Sequence, residues 1–338
     1  MTSWLVNRDD LGMEAARIEN TAIAASGGNR LRWHEIPAVL RFALADALGA
    51  AVVAAESRHG GFSPGLASVL TLEDGRTVFA KAINATRNEF TVEAIRTEGD
   101  VLQQLPLHVP APRLLWTYDD GEWVALVTEA IDGHNPVQPW RRDELDRFLA
   151  GAIELATALT PSPIEARPIA EIDEFRVWAA MAADPAIVGR LAEWIRPRLR
   201  ELADLDARWP MATAGDSLMH GDLRADNVVL TPDGRFVAVD WPSVLIGPAW
   251  LDLLVALPSI AMHGGGDPED LWSSHPFAEM ADPDAVDVAL AGFAGLVLSR
   301  SMEPAPPLLP TIRDFQRVQG EVALRWLFRR LDRPQAPA

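Results

Sequence analysis

The chain has 338 residues, 49% of them hydrophobic, and a formal net charge of −18. Its length suits two compact units, and its acidic balance disfavours nucleic-acid phosphates and anionic lipid headgroups as partners. The lack of cysteine excludes a disulfide framework and a thiolate metal site, and no apolar run reaches the ~18 residues of a membrane span.

In chain order, residues 1–35 are mixed and polar, an N-terminal extension expected to be flexible or to form a short helix. They contain early acids and no apolar signal core, which predicts a cytoplasmic protein. PAVLRFALADALG has apolar residues at helical spacing and ends at Gly49, a good helix stop. AAVVAAESRH reads as a strand and GGFSPG as a glycine-rich turn. LASVLTLEDGRTVFAKAI is a hairpin about Asp74-Gly75, and RLLWTYDDGEWVALVTEA a second about Asp120-Gly121. Between them lies a helix from about Asn88 to Leu105, stopped by Pro106. The segment 36–130 is thus expected to be a small antiparallel sheet with one helix.

Gly133, Pro136 and Pro139 mark IDGHNPVQPW as a linker. Beyond it, 131–338 reads as mainly helical, with long segments such as RRDELDRFLAGAIELATAL and helices near 249–262, 283–300 and 311–331. One short β interruption runs from Ser217 to Trp241, with a turn at Pro232-Asp233-Gly234.

That interruption holds the densest polar cluster, His220-Gly221-Asp222-Leu223-Arg224-Ala225-Asp226-Asn227, followed by VVL and by FVAVDW. Any one of these residues alone reads as a turn or capping residue; together they point to chemistry, because such groups are costly to bury without partners. Phosphoryl transfer from ATP needs a carboxylate to orient the acceptor hydroxyl and receive its proton. It also needs oxygen ligands for Mg²⁺. Asp222 fits the base. Asn227 and Asp240 fit the metal ligands, since a hairpin returns its two ends to one place.

HGDLRADN followed by VDW resembles the catalytic loop and metal segment of the aminoglycoside phosphotransferase family, within the protein-kinase-like superfamily. GGFSPGLA, VPAPRLLW and GEVALRWL also look like a group of uncharacterised actinobacterial-type phosphotransferases. The resemblance implies an α+β, two-lobed, protein-kinase-like fold with a nucleotide-binding sheet lobe (36–130) and a helical lobe (131–338). It implies an ATP- and Mg²⁺-dependent transfer to a small-molecule hydroxyl acceptor, with GTP as the other donor. It makes Asp222 the base, Asn227 and Asp240 the magnesium ligands, and His220 a scaffold for the loop. Arg224 would meet the γ-phosphate or form a scaffold ion pair, and Asp226 would fix the loop. Lys81 in VFAKAI matches the lysine of the α- and β-phosphates. RTEGDVLQQL selects Glu98 as its partner, ahead of Glu93, with Glu89 exposed. Gly61, Ser63 and Gly65 fall in the phosphate-covering loop, which lacks the Walker spacing. In TEAIDG, the Glu129 carbonyl and Ile131 amide are expected to read the adenine edge. Asp252, in PAWLDLL, would brace the catalytic loop at a helix start.

The sequence departs from regulated kinases at Trp241-Pro242, where proline fixes the backbone after the metal aspartate, and it shows no activation segment. Both features favour a constitutive metabolite kinase. The competing class is a non-catalytic, pseudokinase-like nucleotide-binding regulator, against which the intact set Lys81, Asp222, Asn227 and Asp240 argues. Oligomeric state and acceptor identity are not legible.

Overall fold

In the computed structural model, which describes residues 30–58, 64–306 and 310–333, the first long element is helix α1 (Ala38–Leu48). It ends where Gly49 turns left-handed. Five antiparallel strands follow: β1 (Val52–Ser57), β2 (Leu66–Leu72), β3 (Thr77–Asn84), β4 (Leu114–Asp119) and β5 (Trp123–Glu129). They pair in the order β1-β2-β3-β5-β4. Both hairpin turns sit at the Asp-Gly dipeptides, and Asp120 Oδ1 accepts from the amides of Glu122 and Trp123. Helix α2 (Glu89–Gln104) lies between β3 and β4; Asn88 caps it by accepting from Thr91 N, and it stops two residues before Pro106.

Strand periodicity sorts the sheet into two faces. Val78, Ala80 and Ala82 of β3 join Ala125 and Val127 of β5, with Leu40 and Leu44 of α1, in one core. Ile83 of β3 and Val124 and Leu126 of β5 turn the other way and join Val92, Ile95 and Leu102 of α2. That second cluster is continuous with the interior of the helical half. Lys81 shares the parity of Ile83, so it too belongs to the α2 face. Residues 30–36 are drawn onto the sheet: Leu31 and Ile36 are buried in the first core, and Leu31 N donates to Gly65 O at 3.3 Å.

The helical half begins with α3 (Arg142–Ala158). Between 160 and 216, read only as mainly helical, the chain forms four short helices, Trp178–Ala183, Pro185–Arg190, Leu199–Asp206 and Trp209–Ala212, and 3₁₀ turns. Prolines at 161, 163, 168, 185, 197 and 210 account for this, since proline does not continue a helix and those at 185, 197 and 210 each sit in the first turn of a new one. Then come β6 (Ser217–Met219), β7 (Val228–Leu230), β8 (Phe236–Ala238) and β9 (Leu245–Gly247), paired as β6-β9 and β7-β8. Strand β9 was not expected; three residues beside Pro248 carry no readable period. Helices α4 (Leu251–Met262), α5 (Pro283–Ser301) and α6 (Ile312–Leu331) complete the bundle close to their predicted bounds. No helix among the described residues is long and apolar enough to cross a membrane.

Candidate active site

The loop from His220 to Asn227 starts where β6 ends. Asp252, in the first turn of α4, accepts from His220 N at 2.6 Å and Gly221 N at 2.9 Å. One carboxylate thus fixes two successive peptide groups of the loop. Gly221 has a φ of +77°, and a Cβ there would lie 2.0 Å from Ser243 O, so only glycine fits. His220 is fully buried, edge-on to Trp241 at 4.8 Å. Its Nε2 lies 3.1 Å from Val239 O. Burial pushes this imidazole below its usual pKa, so it is a neutral packing and bridging group.

Asp222 is gripped from two sides. Arg224 Nη1 donates to its Oδ1 at 3.0 Å, and Asn227 Nδ2 donates to its Oδ2 at 3.0 Å and to its main-chain O at 2.9 Å. Burial pushes the Asp222 carboxyl above the usual range; Arg224 opposes this, and Asp226 and Asp240 reinforce it. Arg224 also forks onto both oxygens of Asp226, at 3.0 and 2.9 Å. Of the two readings of Arg224, the ion pair is therefore the one formed here, with Asp226 as the loop-fixing acceptor.

Asn227 and Asp240 come together through the β7-β8 hairpin. Val228 pairs with Ala238, and Val239 N donates to Asn227 O at 2.9 Å. Asp240 has a left-handed φ of 69°, a conformation that aspartate tolerates better than most residues. Its side chain, 47% exposed, projects into the cleft between the sheet and the helical half.

Lys81 Nζ crosses that cleft. It donates to Glu98 Oε2 of α2 at 2.5 Å and to Asp240 Oδ1 at 2.6 Å. Burial acts to lower the Lys81 pKa, but Asp240 and Glu98 outweigh it and hold the ammonium above its usual value. Burial raises Glu98 against the pull of Lys81. For Asp240 the balance is reversed: burial raises it, and Lys81 outweighs burial and holds it below the usual range. Glu93 instead faces Arg96 at 3.8 Å on the surface, and Glu89 is exposed.

At the hinge, Glu129 N donates to Arg113 O at 2.9 Å, and Glu129 O accepts from Thr128 Oγ1 at 3.1 Å. That carbonyl keeps a second lone pair. Gly65 is pressed onto β3, where a Cβ would lie 2.6 Å from Ala82 O. Gly61 and Ser63 lie outside the described residues.

Sequence reasoning missed three participants. Burial holds the Arg30 guanidinium below its usual pKa, and the nearby charge of Asp240 opposes this. Glu144 is buried, and His134 Nε2 lies 3.0 Å from its carboxylate. Asn135 Nδ2 donates to the carbonyls of Asp226 and Val228. Arg30 and Asn135 lie in an extension and a Gly-Pro linker that give no periodic signal, and Glu144 lies in the first turn of α3, where an acidic residue reads as a solvated helix start.

No cluster of three or more His, Asp or Glu groups suited to a metal occurs among the described residues, so an all-protein cage is absent there. The donors at the cleft are the Asp240 carboxylate and the Asn227 amide oxygen. A pair of hard oxygens, completed by phosphates and water, suits Mg²⁺.

A five-stranded sheet with one helix, a helical half, and a lysine-carboxylate pair facing an Asp/Asn loop across a cleft define a protein-kinase-like phosphotransferase with an alcohol group as acceptor. Residues 33–282 match the Phosphotransferase enzyme family, APH. The chain belongs to that family. An aminoglycoside 3'-phosphotransferase from Streptomyces ribosidificus is 25% identical over 202 residues, 54% of this chain and 70% of the relative. Among solved structures, aminoglycoside phosphotransferase APH(4)-Ia in ternary complex with ADP and hygromycin B has a TM-score of 0.57 at 13% identity, over 87% of this chain and 99% of that one. The GDP and kanamycin complex of APH(2")-IIia has a TM-score of 0.56 at 14% identity, over 83% and 94%. Choline kinase LicA from Streptococcus pneumoniae has a TM-score of 0.56 at 13% identity, over 86% and 98%.

Proposed function

We propose that this protein transfers the γ-phosphate of ATP, with Mg²⁺, to a hydroxyl of a small cationic molecule of the aminoglycoside or amino-sugar type. The observation that carries the reading is the Lys81 ammonium held between Glu98 and Asp240, with Asn227 and Asp222 on the adjoining hairpin and loop. Lys81 holds the α- and β-phosphates once Asp240 is drawn to a cation, and Glu98 keeps its ammonium aimed. The Glu129 carbonyl and Ile131 amide receive the purine edge, and Gly65 lets the loop backbone approach the phosphates. Asn227 and Asp240 would hold Mg²⁺, which neutralises phosphate charge during transfer.

Asp222 accepts a hydrogen bond from the acceptor hydroxyl and takes its proton as the new P–O bond forms and the bond from the γ-phosphorus to the β–γ bridging oxygen breaks, with ADP as the leaving group. Its raised affinity for a proton makes it a better acceptor than an exposed aspartate. Arg224 keeps its carboxylate aimed and balances its charge. Catalysis is then chiefly positioning and charge stabilisation. An aminoglycoside acceptor draws support from the Streptomyces relative and from the net charge of −18, which favours a cationic ligand. ATP as donor draws support from the ADP-bound neighbour.

The test is ADP release over a panel of aminoglycosides, amino sugars and choline, with ³¹P NMR to identify a phosphomonoester. One acceptor class is expected to give turnover, and Asp222→Asn to reduce it by ~10²–10⁴-fold. An Asp222→Asn protein as active as its parent would contradict the assignment.

A further inference from the structure

The segment after β5 meets β7 in an isolated antiparallel bridge between His134 and Leu230. His134 N donates to Leu230 O at 3.1 Å, and Leu230 N returns a bond to His134 O at 2.9 Å. This is a hydrogen-bonded antiparallel pair, so the next such pair in register is residue 136 with residue 228. Residue 136 is proline and has no N–H to give. The side chain of Asn135 supplies that donor: its Nδ2 reaches Val228 O at 2.8 Å and, with its second hydrogen, Asp226 O at 3.1 Å.

These two carbonyls flank Asn227. The carbonyl of Asn227 itself points the opposite way and accepts from Val239 N of the facing chain. Residue 227 is therefore gripped on one side by the β8 chain and on the other by a single amide. Its own side chain in turn holds both the carboxylate and the carbonyl of Asp222. The gripping segment is itself fixed. A Cβ on Gly133 would lie 2.5 Å from Leu230 O. The buried Glu144 meets His134 Nε2 and accepts from Val137 N at 2.7 Å.

We propose that Asn135 is a positioning residue of the phosphotransfer site, replacing the strand donor lost at Pro136 and so setting the aim of Asn227 and, through it, of Asp222. The proposal rests on the phosphotransfer reading above. Asn135 is exposed, so its two bonds add little to global stability, while a displacement of order 1 Å at the reacting groups lowers rate by as much as ~10²-fold.

The experiment compares the full chain with Asn135→Ala, Asn135→Asp and the double variant Asn135→Ala/Pro136→Ala. Asn135→Ala is expected to lower kcat about tenfold or more, with nucleotide KM and Tm nearly unchanged. Asn135→Asp, which offers no donor to either carbonyl, is expected to lose at least as much. The double variant restores an N–H at residue 136 and is expected to regain part of the lost kcat, which a general packing defect would not do. Hydrogen exchange at the Val239 amide, partner of Asn227 O, is expected to speed up in Asn135→Ala and to slow again in the double variant. A kcat within about twofold of the parent in both single variants, or unchanged Val239 exchange, overturns the proposal. A parent without turnover on any acceptor sinks the phosphotransfer reading instead, and the exchange comparison still decides whether the clamp exists.

Discussion

The two faces of the five-stranded sheet are made by the same strands and belong to different bodies. One packs on α1 and the segment before it, as a small core of its own. The other packs on α2 and runs without a break into the core of the helical half. Lys81 lies on the shared face, and its neighbours in sequence, Ala80 and Ala82, lie on the private one. Lys81, which donates to Asp240 at the end of the β7-β8 hairpin, is thus carried by the face whose core continues into the helical half, while the private face holds the sheet's shape. A one-residue slip in β3 would move Lys81 to the α1 side.

Lys81→Met attacks the shared face at its centre and is expected to give the largest effect. Turnover should fall about 10²–10³-fold, and Glu98, 3% exposed, would be left without its counter-charge. A sharper comparison comes from matched truncations, Leu126→Ala on the shared face and Leu40→Ala on the private one. Both side chains are buried, so each should cost ~2–5 kcal/mol by urea unfolding. Only Leu126→Ala should also depress kcat in the folded protein, and equal effects on kcat would erase the distinction between the faces.

A smaller effect probes the large core far from the cleft. Burial raises the Asp206 carboxyl, which accepts from Trp178 N at 2.9 Å. A carboxyl with a raised folded pKa binds its proton more tightly when folded. Its contribution is most favourable below the unfolded value of about 3.9 and is lost as pH rises through the raised one. Asp206→Asn should flatten that part of the Tm–pH curve and leave kcat alone. Least of all, Arg96→Ala removes an exposed ion pair with Asp119, 2.8 Å long, between α2 and β4. Its effect on urea unfolding should be the smallest of the series and vanish in high salt.

What could be read from the sequence follows from what is local. The hairpins, the α1 stop at Gly49 and the α2 cap depend on a few adjacent residues, and each lies within a residue or two of expectation. The loop from His220 to Asn227 was legible because its groups are contiguous. The choice of Glu98 over Glu93 followed from a motif and agrees with helix geometry, since only Glu98 is buried on the face toward Lys81. Other features depend on distant chain segments. Arg224 has Asp222 and Asp226 at equal sequence distance, and only the folded loop shows that it binds both. The bond from Asn135 to Val228 spans 93 residues and arises because Pro136 cannot donate. Residues 30–35 read as part of an extension because Leu31 alone shows no period, yet it is buried against the sheet.

The central claim is that Lys81, Glu98, Asp240, Asn227 and Asp222 form one phosphate-handling unit across the cleft. A crystal structure with a non-hydrolysable ATP analogue and Mg²⁺ tests it most directly. The account predicts that Lys81 keeps Glu98 and meets the phosphates, that Asp240 and Asn227 ligate one ion, and that Asp222 faces the γ-phosphate. Nucleotide density elsewhere on the molecule, or Asp240 and Asn227 without a common ion, would contradict it.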